Sequence, residues 1–358
     1  MKHDSKTLLI LSPGFPKNEA DTTCLPSQQI FVRSLNKCYP ALSVIILSFQ
    51  YPFSNTTYQW YGNKVVPFDG LEKGRIARLL YWRQVWRTMN RLKKENNIIG
   101  LLSFWCGECA FMARYFGRSN KLKNLTWIMG QDAKKGNKYI ALIQPKPGEL
   151  MAMSDFLSDE FYKNYGIRPS HVIPNGVAPA LFAIKNIVRD ITILGVGSLI
   201  PLKQYDIFIK VVKEVNKQIP GINSILCGKG ALQMELQDLI AREHLQTNLI
   251  LTGEMPHQET LELMQRAKIF LHPSCYEGFS TACLEALYAG CHVISFIRPM
   301  RQDIDHWHVV QNTGEMIAKT VELLLNRKTN YVRVMPYIMD ESANTVMRLF
   351  GYSVAASS

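Results

Sequence analysis

Residues 269–296 read IFLHPSCYEGFSTACLEALYAGCHVISF, and this stretch decides the fold. Its two ends, residues 269–272 and 293–296, are short apolar runs that predict buried strands. Gly290 lies where a helix between them would need a residue in the left-handed conformation after its last turn. The stretch therefore predicts a strand–turn–helix–strand unit of a parallel α/β sheet.

The start of this helix is a candidate anion site. Ser280 or Thr281 is suited to cap it, and the first N–H groups of a helix have no partner inside the helix. They carry the positive end of the helix dipole, so phosphate is the expected occupant. The candidate residues are Gly278, Phe279, Ser280 and Thr281.

Two glutamates flank this site. Glu277 precedes the helix. Glu285 lies inside the helix, eight residues after Glu277. A phosphate repels a carboxylate, so both side chains are expected to face neutral hydroxyl groups on either side of the phosphate. A phosphate between two polyols describes a nucleotide sugar. The alternative is a pair of solvated glutamates on a surface helix.

The spacing of Glu277 and Glu285, within EGFSTACLEA and followed by AGCHVIS, resembles the retaining glycosyltransferases of family four. The resemblance implies an α/β protein of the GT-B fold, with two Rossmann-like domains facing across a cleft. It also implies that Glu277 contacts the transferred sugar and that Glu285 holds the ribose of the nucleoside diphosphate.

Length and composition agree with two globular domains. The chain has 358 residues, whereas single cores stop growing near about 250–300. It has no apolar run of 18 residues, and most of its eight cysteines lie in apolar segments, which predicts reduced thiols in a cytoplasmic protein. Cys106 and Cys109 form a lone CxxC with no second ligand pair, so no metal site is expected.

The excess of positive over negative charge is confined to the first half of the chain. Residues 1–178 hold 24 Lys and Arg against 12 Asp and Glu, whereas residues 179–358 hold 17 of each. Residues 73–94 carry eight basic residues and no acidic one. They also carry an apolar stripe at helical spacing: Ile76, Leu79, Trp82, Val85, Trp86, Met89 and Leu92. Two interpretations stay open, a packed helix with a solvated basic face and a helix that meets an anionic membrane surface.

Three segments are expected along the chain. Residues 1–178 form an acceptor-side Rossmann-like domain, which ends near the IPNGV sequence at 173–177. Residues 179–330 alternate strands and helices and form the nucleotide-sugar domain. By resemblance, residues 331–358 contain a helix that crosses back to the first domain.

Further candidates follow the predicted strands. Gly14 ends the first strand, where open α/β sheets place ligands. Gly197, Ser198 and Lys203 follow the first strand of the second domain. In the family an Arg and a Lys clamp the pyrophosphate here; Lys203 matches, and Ser198 replaces the Arg. Gly228 lies in a loop that borders the nucleoside base in the family.

The segment after the strand at 125–129 departs from the family pattern. Met129 stands where the family has a His that reaches the donor sugar. Asp132 is a candidate either for orienting an acceptor hydroxyl or for capping the helical turn that follows. Both interpretations stay open.

These features predict a retaining, metal-independent glycosyltransferase without a cofactor, with a nucleoside-diphosphate sugar as co-substrate. Glu277, Lys203 and Asp132 are the catalytic candidates. The expected partners are the nucleotide sugar, a saccharide or lipid-linked acceptor in cell-surface polysaccharide or glycolipid assembly, and the inner face of the cell membrane. No groove-reading motif predicts nucleic-acid binding. Two alternatives remain: a nucleotide-sugar-binding subunit of low activity, and a GT-B epimerase or hydrolase.

Overall fold

A computed structural model of the chain describes residues 5–70, 75–182 and 187–353, without the side chains of residues 75 and 76. The chain divides into two compact units. The first contains Met1–Asn175 and Met339–Ser358, and the second contains Gly176–Ile338. The division falls three residues before the predicted one at residue 178, and the second unit extends eight residues beyond residue 330.

The first unit is built on an eight-stranded sheet with the strand order β3-β4-β2-β1-β5-β6-β7-β8. All neighbours are parallel except β3 and β4. Its strands are β1 (Lys6–Gly14), β2 (Ser43–Tyr51), β3 (Tyr58–Trp60), β4 (Asn63–Pro67), β5 (Asn97–Phe104), β6 (Asn124–Ile128), β7 (Leu150–Ala152) and β8 (His171–Val172). Its helices before the division are α1 (Pro26–Cys38), α2 (Arg75–Glu95), α3 (Glu108–Asn120), α4 (Lys138–Ile143) and α5 (Asp155–Tyr165).

The second unit is built on a six-stranded parallel sheet with the order β11-β10-β9-β12-β13-β14. Its strands are β9 (Ile191–Val196), β10 (Ser224–Cys227), β11 (Leu249–Gly253), β12 (Ala267–His272), β13 (His292–Ser295) and β14 (Trp307–Val309). Its helices are α6 (Tyr205–Gln218), α7 (Gln233–Arg242), α8 (His257–Arg266), α9 (Thr281–Ala289) and α10 (Thr313–Leu325). From β9 to β13 strands alternate with helices as predicted, because a crossover between parallel strands usually contains a helix, whereas β13 and β14 are joined without one.

One further helix, α11 (Met339–Leu349), follows the second unit in the chain and packs against α1 of the first. Its buried face includes Ala343, Val346 and Met347, and the Phe350 ring beyond it lies directly on the backbone of Gly100 in β5. The first unit is therefore built from two separate segments of the chain.

The basic segment predicted at 73–94 forms α2, although Lys73 and the side chain of Ile76 lie outside the described part. Val85, Met89 and Leu92 are buried as predicted. The prediction was wrong for Leu79, which is 64% exposed, because Tyr81 instead of Leu79 lies on the buried face of the helix. Within the described ranges, no helix has the combination of length and apolar character that crossing a membrane requires.

Candidate functional site

The turn between β12 and α9 forms as its sequence predicts. The Ser280 hydroxyl accepts the N–H of Cys283 at 3.3 Å, which identifies Ser280 rather than Thr281 as the N-cap. Gly290 follows the helix with a φ of 92°, the left-handed conformation that a side chain would strain. Gly278 and Phe279 are buried, and the Phe279 ring packs against Trp307 with ring centres 5.7 Å apart. The amino end of α9 is thus held by local hydrogen bonding and by the core beneath it.

Glu277, Lys203 and His272 form a cluster beside this helix end. Lys203 ends a helical turn, Pro201–Lys203, and its ammonium forms an ion pair with Oε2 of Glu277. His272 is the last residue of β12, and its Nε2 lies 3.0 Å from the same oxygen. The Glu277 side chain is only 22% exposed, so it does not point into bulk water.

The cluster keeps Glu277 ionised. Burial raises the pKa of the carboxyl group, but the hydrogen bond from His272 and the charge of Lys203 outweigh it and lower the pKa to about 2. Burial and the neighbouring Lys203 charge lower the pKa of His272, so its ring is neutral near pH 7 and donates through Nε2. The result is a fixed carboxylate beside a fixed ammonium.

Glu285 lies inside α9 with its side chain 7% exposed. Its Oε1 lies 2.8 Å from Nε2 of His257, the first residue of α8. Burial lowers the pKa of His257, but the hydrogen bond and charge of Glu285 raise it more, so the net shift is upward. The pair joins the start of α8 to α9, and neither predicted glutamate is a solvated surface residue.

The glycine turns after β9 and β10 pack backbone to backbone. A Cβ on Gly228, whose φ is 151°, would overlap the carbonyl oxygen of Gly197. The N–H of Gly197 in turn donates to the carbonyl of Cys227 at 3.0 Å. This close approach explains Gly228 without a ligand, whereas Ser198 is exposed on the same turn.

The remaining candidates lie in the first unit. Gly14 is buried at the end of β1, beside Tyr51 of β2. Asp132 is 8% exposed, and its carboxylate accepts the N–H groups of Cys106, Met129 and Gly130 at 2.7, 3.2 and 2.8 Å. These bonds hold two loops together. Asp132 does not cap the turn Gln131–Ala133, whose N-cap is Gly130.

Two residues of the site, His257 and His272, were not predicted from the sequence. Both lie at the carboxyl edge of the sheet. His272 is the last residue of β12, and His257 lies four residues after β11. Their position after a strand could have identified them, because the glycine turns were identified from the same position. What each histidine touches depends on side-chain directions that spacing does not give.

No group of three or more His, Cys, Asp or Glu side chains among the described residues is arranged to hold a metal ion. Cys106 and Cys109 are buried free thiols, and burial raises the pKa of both. The CxxC pair belongs to the core of the first unit.

Two sheets flanked by helices, parallel except for the edge strand β3, with the first unit completed by a helix that follows the second, define the GT-B fold. Solved structures with this fold cover nearly the whole chain. Staphylococcus aureus TarM, in complex with Fondaparinux, alpha-GlcNAc-glycerol and UDP, superposes with a TM-score of 0.69 at 12% identity over 97% of this chain and 100% of that one. The pneumococcal O-GlcNAc transferase GtfA, in complex with UDP and GlcNAc, gives 0.68 at 11% identity over 98% and 99%.

Residues 179–337 match the family model "Glycosyl transferases group 1". The second unit is therefore a domain of this family, which confirms the resemblance inferred from Glu277 and Glu285. Among curated relatives, the phosphatidylinositol N-acetylglucosaminyltransferase gpi3 subunit of Schizosaccharomyces pombe is 26% identical over 203 residues, which are 55% of this chain and 44% of that protein. The chain thus matches less than half the length of this relative.

Proposed function

We propose that the chain is a retaining glycosyltransferase that moves a sugar from a nucleoside-diphosphate sugar to an acceptor hydroxyl. The cluster of Lys203, Glu277 and His272 carries this proposal, because it places one cation and one fixed carboxylate beside the amino end of α9. The family match of the second unit and the glycosyltransferase names of its relatives support it.

In the proposed reaction, the diphosphate binds between Lys203 and the amino end of α9. Charge develops on the diphosphate as its bond to the anomeric carbon breaks, and a preorganised cation stabilises that charge. The acceptor oxygen bonds to the anomeric carbon on the same face, and its proton passes to the departing diphosphate oxygen. No metal ion is needed in this scheme, because Lys203 and the helix end supply the positive charge.

Each glutamate has one oxygen assigned to the substrate. Lys203 and His272 both contact Oε2 of Glu277, and we assign Oε1 to a hydroxyl of the transferred sugar. His257 contacts Oε1 of Glu285, and we assign Oε2 to the ribose. UDP and GlcNAc occur together in the GtfA complex, so UDP-GlcNAc is the first donor to test.

The test measures UDP release and the anomeric configuration of the product. The purified chain is incubated with UDP-GlcNAc, UDP-glucose or UDP-galactose, with and without EDTA. We expect release with at least one donor, no effect of EDTA, and a product of unchanged configuration. Glu277→Gln is expected to lower kcat, whereas Glu285→Gln is expected chiefly to raise the KM for the donor. An inverted product, or turnover abolished by EDTA, contradicts the mechanism.

We further propose that α2 brings the protein to the inner face of the cell membrane, where a lipid-linked acceptor would lie. Leu79 and Leu80 are each 64% exposed, and Arg83, Arg87 and Arg91 continue the exposed face. Apolar and cationic side chains on one helical face suit an anionic lipid surface.

Flotation with vesicles of phosphatidylcholine, alone or with phosphatidylglycerol, tests the role of α2. We expect the protein to float only with the anionic vesicles, and the double variant Leu79→Ser, Leu80→Ser to float less. Leu325→Ser is the matched control, because Leu325 is equally exposed but lies in the second unit. Equal flotation of wild type on both lipids excludes this role.

A second candidate is a binding subunit of low activity. The S. pombe relative is named as a subunit, and Met129 and Ser198 stand where the family pattern has His and Arg. Met129 is buried and accepts a hydrogen bond from Gln28. Tight binding of UDP without release from any donor would favour this function.

A further inference from the structure

A cavity of about 500 Å³ opens at the carboxyl edge of the first unit's sheet. Pro13 of β1 and Phe104 of β5 line it from below. The chain order reverses between these two strands, since β2 lies on one side of β1 and β5 on the other. Open α/β sheets bind ligands at such a switch point, and the volume lies within the range of about 300–1,000 Å³ found for small-molecule sites.

The walls of the cavity combine apolar and hydrogen-bonding surfaces. Phe104 and Trp105 supply an aromatic wall, and Trp105 has a φ of 62°, a left-handed conformation that an aromatic residue rarely adopts. Gln50, Glu108 and Tyr139 supply polar groups. This mixture suits a ring that is apolar on its faces and hydroxylated at its edge.

Glu108 is held in place by the protein around it. Its side chain is 11% exposed, and its carboxylate accepts a hydrogen bond from the Trp82 indole. Arg78 lies farther off, with Nε 4.0 Å from Oε1 of Glu108. The carboxyl group therefore has a fixed direction before any ligand binds.

Cations outnumber carboxylates around the cavity. Arg78 and Lys138 line it on the outer side, and both extend into solvent, whereas Glu108 is its one carboxylate among the lining residues. An anionic group at the rim would receive charge-assisted hydrogen bonds from both cations.

We propose that this cavity binds the acceptor, and that the acceptor is a polyol that carries a phosphate group. Its hydroxyl groups face Glu108 and Gln50, and its phosphate faces Arg78 and Lys138. The assignment of the ligand as an acceptor rests on the proposed transferase function; the binding chemistry follows from the cavity itself.

Calorimetric titration of the full chain, saturated with UDP, tests the proposal. The probes are glucose, inorganic phosphate, glucose 6-phosphate and a short-chain phosphatidylinositol. We expect at least one of the last two to bind at least about tenfold more tightly than glucose or inorganic phosphate, as one added charge-assisted contact implies. Whichever of the two binds more tightly identifies a free polyol phosphate or a lipid headgroup as the source.

The variants Arg78→Gln and Lys138→Gln are each expected to weaken the tighter probe by about tenfold. Lys138 is exposed, so its substitution leaves the core intact. Arg118→Gln is the matched control, because Arg118 is exposed on α3, the helix of Glu108, but does not line the cavity. All three variants are expected to bind UDP as wild type does.

Equal binding of glucose and both phosphorylated polyols overturns the proposal, as does unchanged binding in both cavity variants. If UDP binding and slow hydrolysis of the donor persist in that case, the cavity assignment fails and the transferase function stands. If UDP binding is absent from wild type, the proposed function fails instead.

Discussion

Glu277 and Glu108 occupy comparable places in the two units, but their pKa values are shifted in opposite directions. Each lies just beyond the carboxyl edge of a parallel sheet, and burial raises the pKa of each. For Glu277, His272 and Lys203 reverse the shift and lower the pKa to about 2. For Glu108, the hydrogen bond from Trp82 and the more distant Arg78 charge do not compensate, and the pKa stays raised.

The difference follows from the distance of the cation. Lys203 forms a direct ion pair with Glu277, whereas the nearest Arg78 nitrogen is 4.0 Å from Glu108. A buried carboxylate needs a close cation to stay ionised at low pH. The second unit therefore holds a permanently charged pair, which suits a charged leaving group, and the first holds a carboxyl group that suits hydroxyl recognition.

The largest expected effect comes from removing the close cation. Lys203→Ala is expected to lower kcat/KM for the donor by about 10²–10³-fold, because a preorganised group that stabilises developing charge contributes about this much. Lys217→Ala is the control, since Lys217 pairs with Glu214 on the surface of α6. Steady-state kinetics of UDP release measures both, and a Lys203 effect no larger than that of Lys217 would remove the lysine from the mechanism.

The second effect is a pH dependence of stability that Glu277 confers. A carboxyl group whose folded pKa is lowered stabilises the fold above its unfolded pKa, and this contribution is lost as pH falls from about 4.5 toward 2. The shift corresponds to about 3 kcal/mol in total. The difference in unfolding free energy between wild type and Glu277→Gln is therefore expected to shrink as pH falls from 6 to 3. Urea unfolding at several pH values measures it, and a constant difference would contradict the shift.

The smallest expected effect has the opposite sign and belongs to Glu108. A carboxyl group whose folded pKa is raised stabilises the fold below its unfolded pKa, and this contribution is lost as pH rises through the folded pKa. Relative to Glu108→Gln, wild type is expected to lose stability as pH rises from 4 to 7. The same urea series checks this, and parallel slopes for the Glu108 and Glu277 variants would erase the contrast between the two units.

The regular part of the fold could be predicted because its signals are local. The strands around α9 and the apolar face of α6 follow from short apolar runs and helical spacing. The hairpin of β3 and β4 and the edge strand β14 were not predicted. They are three to five residues long, which is too short for a clear apolar periodicity.

For the candidate site, the positions of its main residues could be predicted from the sequence. The placement of Glu277, Glu285 and Lys203 followed from the turn, the helix and the family resemblance. The roles of His257 and His272 did not, because a hydrogen bond between side chains far apart in sequence depends on tertiary packing. Asp132 shows the same limit, since its three N–H partners come from two loops.

The return of α11 to the first unit has a consequence for synthesis on the ribosome. Helix α1 is made before the second unit, but the surface that covers it arrives only after the entire second unit has emerged. Until then the nascent chain carries an uncovered apolar face around Gly100 and α1, the kind of surface that chaperones bind. The second unit, which is continuous in the chain, can finish folding first.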